Sequence, residues 1–177
     1  KNIVKRTYGL IKLDAESIDE IIEDTKYGSQ WRKDSSQFAA WRENPCCEKF
    51  LQDILDEKYQ GFITPIIASE TLFNFIKAYI LKTYGAKGSD VPVLLKRDPK
   101  ILQEIPFDRP KEIFGIFDIL PNGAVEVELS IEYISRYALL TNDAINAATM
   151  EINKINSIAT NDRDFERVEG VKVWGLL

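Results

Sequence analysis

Thr141-Asn142-Asp143-Ala144-Ile145-Asn146-Ala147-Ala148, followed shortly by Ser157-Ile158-Ala159-Thr160-Asn161-Asp162-Arg163-Asp164-Phe165, decides how this chain folds. The first block carries small and apolar residues at helical spacing, and the second opens on a short β-prone run that stops at Asn-Asp. A helix leading into a buried strand is half of a parallel α/β unit. Asp143 falls at the start of that helix, where unpaired backbone N–H groups and the positive end of the helix dipole favour negative charge. Asp162 comes directly after the strand. Open α/β sheets place their ligand sites at the carboxyl ends of the strands, so both acids are expected at one edge.

Working outward, Tyr8 to Leu13 reads as a strand ending at Asp14, and Ala15 to Asp24 as a helix with Ile18, Ile21 and Ile22 on one face. Thr25 to Lys33 is a polar connection. Asp34-Ser35-Ser36 reads as an N-cap leading a helix with Phe38 and Trp41, which stops by Asn44-Pro45. A further helix is expected from Cys46 to Glu57, burying Phe50, Ile54 and Leu55. Gly61-Phe62-Ile63-Thr64 is a β-prone run. It precedes a long helical pattern from Ile66 to Thr83 that carries Leu72, Phe73, Ile76, Tyr79 and Ile80, with Glu70 in its first turns. Gly85 to Asp90 is a loop, and Pro92, Pro99, Pro106 and Pro110 preclude a long helix over the next stretch. Beyond it the pattern predicts a strand over Ile113 to Leu120, helices over Val125 to Tyr137 and Asp143 to Asn153, and a last strand at Val171 to Trp174. Alternating strands and helices predict a single α/β domain over residues 1–177, a mostly parallel sheet covered by helices on both faces.

Composition narrows the chemistry. The 177 residues contain no histidine, which removes Ser-His-Asp and Cys-His catalysis, histidine zinc sites and a histidine base. Cys46 and Cys47 are adjacent, lack zinc-site spacing, and read as reduced helix residues. An apolar fraction of 45% supports a packed core, while no apolar run reaches membrane-spanning length and no signal-peptide pattern is present. A cytoplasmic protein without a membrane segment is the expectation. The net charge of -5 opposes nonspecific nucleic-acid binding. Lys96, Arg97, Lys100, Arg109, Lys111, Arg163 and Arg167 are available for a local basic rim, although a solvated mixed-charge surface is the better account of most of them.

Acid-base or metal work therefore falls to carboxylates. Glu70, Asp143 and Asp162 each follow a strand or open a helix, so a parallel sheet would gather them at one edge. Clustered carboxylates cannot all stay ionised without a counter-cation, and oxygen ligands suit Mg²⁺ or Mn²⁺. Singly, each acid has an ordinary reading as a helix-start or turn residue. Their joint placement favours a metal site.

From Asp143 to the C-terminus the chain resembles a PIN domain, the nuclease module of virulence-associated-protein C type toxins. The resemblance lies in Asn142-Asp143-Ala144-Ile145-Asn146-Ala147-Ala148-Thr149, in Ile158-Ala159-Thr160-Asn161-Asp162-Arg163-Asp164-Phe165, and in Gly170-Val171-Lys172-Val173-Trp174. Thr64-Pro65-Ile66-Ile67-Ala68-Ser69-Glu70 fits the family's apolar segment ending in its second acid. The resemblance implies a three-layer α/β/α domain that cleaves RNA with Mg²⁺ or Mn²⁺ at an acid cluster. It assigns Glu70 and Asp143 to the metal, completes the site with Asp162, and gives Thr160 and Asp164 supporting parts.

The family's first acid has two candidates here. Asp14 has the better strand before it, but Ala15-Glu16 replaces the usual small residue and Asn or Ser, and 56 residues (70 minus 14) separate it from Glu70. Asp34 has the better following text and a 36-residue gap (70 minus 34), behind a poor central strand. Asp14 is favoured by a small margin; with Asp34 as the first acid, residues 1–30 become an appended strand-helix element. Two function classes stand: a metal-dependent endoribonuclease, the toxin of a toxin-antitoxin pair, or a noncatalytic PIN-like module that binds RNA or protein. The resemblance also implies a protein antitoxin as partner, filling the acidic cleft with an Arg or Lys side chain, and a homodimer.

Overall fold

The computed structural model describes residues 7–11 and 45–175, with side chains from Lys49 onward. Asp14, Asp34 and the helices expected over 15–24 and 34–44 lie outside the described residues. The described strands are β1 (Thr7–Ile11), β2 (Tyr59–Ile63), β3 (Asp118–Ile119), β4 (Ser157–Ala159) and β5 (Lys172–Trp174). They form a sheet of order β3-β2-β1-β4-β5 in which each pairing is parallel. The described helices are α1 (Pro45–Leu55), α2 (Pro65–Tyr84), α3 (Val91–Arg97), α4 (Asp108–Phe114), α5 (Ala124–Tyr137) and α6 (Thr141–Ile152). The connections from β1 to β2 and β2 to β3 step one way, and those from β3 to β4 and β4 to β5 step the other way. Right-handed crossovers then put α1 to α4 on one face of the sheet and α5 with α6 on the other. This is the expected three-layer α/β/α arrangement.

Local chemistry explains the element ends. Thr64, in extended backbone at φ -98° and ψ 162°, caps α2 by accepting from the Ile67 amide, and Pro65 supplies a preset first-turn φ. Gly85 ends α2 in the left-handed region at φ 61°, its N–H reaching Leu81 O. Gly123 N–H donates to Glu126 Oε2 at 2.7 Å, closing the first turn of α5. The proline-rich stretch yields only the short α3 and α4 with a 3₁₀ segment at Pro99–Glu104 between them.

Between the layers lies a core that includes the fully buried Ile63, Ile67, Phe75, Met150, Ile158 and Phe165. Each such side chain contributes about 1.5–3 kcal/mol by leaving water. β4 is buried at all three positions, as a central parallel strand should be. Among the described residues, no helix is long and apolar enough to cross a membrane.

Three expectations need correction. Ile113 and Phe114 belong to α4, and the strand predicted over Ile113 to Leu120 shrinks to Asp118–Ile119, because a chain turning from a helix into an edge position leaves room for only two paired residues. Leu55 is exposed while Leu51 is buried, since Leu51 lies one turn before Ile54 and Leu55 closes the helix. Phe73 is about half exposed; the buried row of α2 runs through Ile67, Thr71, Phe75 and Ala78.

Candidate active site

β1 is flanked by β2 and β4, and their register is shared. Leu10 pairs with Phe62 on one side and Ile158 on the other, so Thr64 and Thr160, each two residues further on, stand level. With strands about 4.8 Å apart, the two threonines bracket the carboxyl end of β1 across about 10 Å. β1 and β4 are also where the chain reverses its direction of winding, the switch point at which open α/β sheets bind ligands. Both threonines are buried, at 0% and 2% exposure, and both hydroxyls organise backbone. Thr64 Oγ1 caps α2; Thr160 Oγ1 accepts from the Asp162 amide at 3.1 Å.

Glu70 lies in the second turn of α2 and is half-buried. Its Oε1 accepts from Asn142 Nδ2 at 2.5 Å, a charge-assisted contact between groups 72 residues apart. Asn142 and Asp143 share the first turn of α6, whose N-cap, Leu140, offers no side-chain acceptor. Asp143 is therefore not a cap residue. It sits inside the first turn at 6% exposure, where the helix dipole favours its charge. One turn on, the fully buried Asn146 accepts through Oδ1 from the Thr64 hydroxyl at 2.7 Å. Among the described residues its buried Nδ2 has no hydrogen-bond partner, a lack that costs about 1–3 kcal/mol.

On the other side of β1, Asp162 opens the 3₁₀ turn Arg163–Arg167 and accepts from the Asp164 amide at 2.9 Å. Asp164 pairs with Arg167 at 3.0 Å, and Arg167 donates to Ala138 O at the end of α5. Asp164 thus braces the turn against α5. Clefts lined by described residues open along this edge. One of about 380 Å³ is lined by Pro65, Ile66, Ser69, Glu70, Asn122 and Asn142. Another, of about 590 Å³, includes Thr160, Asp162, Arg163 and Glu166 in its wall. Arg109, Lys111 and Arg167 from the suggested basic rim are engaged with Glu112, Asp108 and Asp164.

The structure thus brings Glu70 to the helix turn that carries Asp143, and sets Asp162 beyond the next strand but one. Among the described residues, no three Asp, Glu or Cys side chains converge closely enough to hold an ion. The sequence's first acid, Asp14 or Asp34, lies outside them. Missing from the sequence reading were Thr64, Asn142 and Asn146 as partners. Their signal was present in the Thr-Pro pair as a helix start and in two asparagines four apart on one helix face.

Comparison with known proteins agrees with this architecture. The PIN domain family model matches residues 34–171. Ribonuclease VapC2 of Methanocaldococcus jannaschii is 36% identical over 126 residues, 71% of this chain and 79% of that protein. Ribonuclease VapC6 of the same organism is 32% identical over 127 residues, 71% of this chain and 82% of its own length. A chain in the crystal structure of VapBC2 from Rickettsia felis bound to a DNA fragment from their promoter superposes with a TM-score of 0.50, covering 96% of this chain and 98% of that one. At 10% identity that likeness carries the fold alone. The extent of the family match and the two relatives above 30% identity establish that this chain belongs to the PIN domain family.

Proposed function

We propose that the chain is a Mg²⁺- or Mn²⁺-dependent endoribonuclease, the toxin of a toxin-antitoxin pair. The observation that carries this reading is the contact of Glu70 with the first turn of α6, which sets one acid beside the helix start that holds another. The names of the two M. jannaschii relatives support ribonuclease chemistry. The donors at this edge are carboxylate, amide and hydroxyl oxygens, the set that hard divalent cations prefer. Glu70, Asp143 and Asp162 with the first acid would hold the ion. Once bound, it would lower the pKa of water and stabilise charge on a phosphodiester. The chain's own part is to hold the acids apart in register: α2 carries Glu70, the first turn of α6 carries Asp143, and Thr160 fixes the backbone that presents Asp162.

Two observations bear on the first acid. Asp14 comes three residues after Ile11, the last residue of β1, in sequence. The family match begins at Asp34. We retain Asp14 for its place in the sequence after β1 and treat Asp34 as its rival. A protein antitoxin supplying an Arg or Lys to the acidic cleft, a homodimer and a cytoplasmic location complete the proposal.

Incubating the purified chain with Mn²⁺ and, in parallel, mixed RNA or single-stranded DNA tests it. Cleavage of RNA and not DNA is expected. Binding of RNA without cleavage would instead favour a noncatalytic PIN-like module.

A further inference from the structure

We infer that Asn142 and Asn146 are positioning residues that set Glu70 and Asp143 in register by stapling α6 to the start of α2. The inference rests on the metal-site reading above. The two asparagines are four residues apart and therefore lie one above the other on the same face of α6. Each reaches α2 through one hydrogen bond: Asn146 to the capping Thr64 at 2.7 Å, Asn142 to Glu70 at 2.5 Å. Thr64 starts α2 and Glu70 follows in its second turn, so the two bonds fix both the height and the rotation of α2 against α6. Asp143, between the two asparagines in sequence, is carried along by the same turn.

The inner bond is an expensive way to join two helices. Asn146 is fully buried, its Nδ2 without a partner among the described residues, in a helix whose other buried residues from Ala144 to Met150 include Ala144, Ala147, Ala148 and Met150. An apolar side chain of the same size would pack there without an orphaned amide. What an apolar contact lacks is direction: it tolerates sliding, whereas the Thr64–Asn146 bond is made at one register only. The outer bond is at the exposed rim, contributes little to folding, and holds one oxygen of Glu70. Partners that orient ligands in this way typically change metal affinity 10- to 100-fold when removed.

The test uses the full chain in four forms: wild type, Asn142→Ala, the double variant Thr64→Val with Asn146→Leu, and Thr64→Ser. Three readouts are taken: metal-free melting temperature, Mn²⁺ affinity by calorimetry, and metal-free hydrogen exchange of the first-turn amides of α6. Asn142→Ala and the double variant should melt at or above the wild-type temperature yet bind Mn²⁺ about tenfold more weakly, while Thr64→Ser, which keeps the hydroxyl, should bind as wild type does. Wild-type Mn²⁺ affinity in both Asn142→Ala and the double variant would overturn the inference, as would loss of affinity only in step with loss of stability. If the wild type itself binds no Mn²⁺, the metal-site reading fails. Faster exchange of the α6 first turn in the double variant would then still support the staple, and unchanged exchange would overturn it.

Discussion

Thr64 and Thr160 stand level just past the ends of the two strands that flank β1, and each uses a buried hydroxyl to hold the backbone that presents an acid. Thr160 accepts from the Asp162 amide, so removing the hydroxyl should free the Asp-Arg-Asp turn. Thr160→Val is expected to lower RNA cleavage on the order of tenfold, with Thr160→Ser close to wild type, in single-turnover assays. Equal activity in both would show that the hydroxyl has no part in presenting Asp162.

Asp143 and Glu70, on adjoining helix starts, carry like charges. Neutralising one should relieve repulsion in the metal-free protein. Asp143→Asn is expected to melt about 2–4 °C higher without metal, the shift that about 1 kcal/mol produces in a domain of this size. Saturating Mn²⁺ should raise the wild-type melting temperature and leave the variant's unchanged. Calorimetric scans with and without Mn²⁺ check both halves. An unchanged melting temperature together with unchanged metal affinity would mean that these acids do not share a site.

The first acid is open to direct comparison. With Asp14 in the site, Asp14→Asn should lose Mn²⁺-dependent cleavage while Asp34→Asn retains it. The reverse result would assign residues 1–30 to an appended element and move the first acid to Asp34.

Alkaline pH reports on a contact remote from the site. Glu104 accepts from the Tyr84 hydroxyl at 2.5 Å, and this bond, with the carboxylate's charge, pushes the phenol up to about 12. A folded pKa above the unfolded value of about 10 means that the contact's contribution is complete below pH 10 and disappears as pH rises through about 12. An ultraviolet titration should show late-ionising tyrosines that include Tyr84 and Tyr133, and Tyr84→Phe should remove one of them. An unchanged late-ionising amplitude in Tyr84→Phe would place Tyr84 away from Glu104.

Gly85 tests the end of α2. At φ 61° a Cβ would meet no atom within 4 Å, so Gly85→Ala carries only the backbone cost of the left-handed region, about 1 kcal/mol. Thermal melts should fall by about 2–4 °C with RNA cleavage intact. A rise in melting temperature would contradict this account of the cap.

Much of this architecture was legible because its signals are local. The apolar run before Thr160 and the helical spacing after Asp143 and after Ile66 each fix an element through neighbours in sequence. Leu55, Phe73 and the shortened β3 depart from expectation because their burial depends on which layer covers them, which periodicity does not encode. The acids Glu70, Asp143 and Asp162 were legible as candidates. The residues that hold them were not, since the Asn142–Glu70 and Asn146–Thr64 bonds join positions 72 and 82 residues apart. The choice between Asp14 and Asp34 could not be made on residues alone, because one offers the strand and the other the following motif.

The most direct test of the central claim is the rate of cleavage of a mixed RNA pool by the wild type and by Asp143→Asn, each with Mn²⁺ and with a chelator. Cleavage only by the wild type and only with Mn²⁺ is the predicted result. Full activity in Asp143→Asn, or equal activity in the chelator, would contradict it.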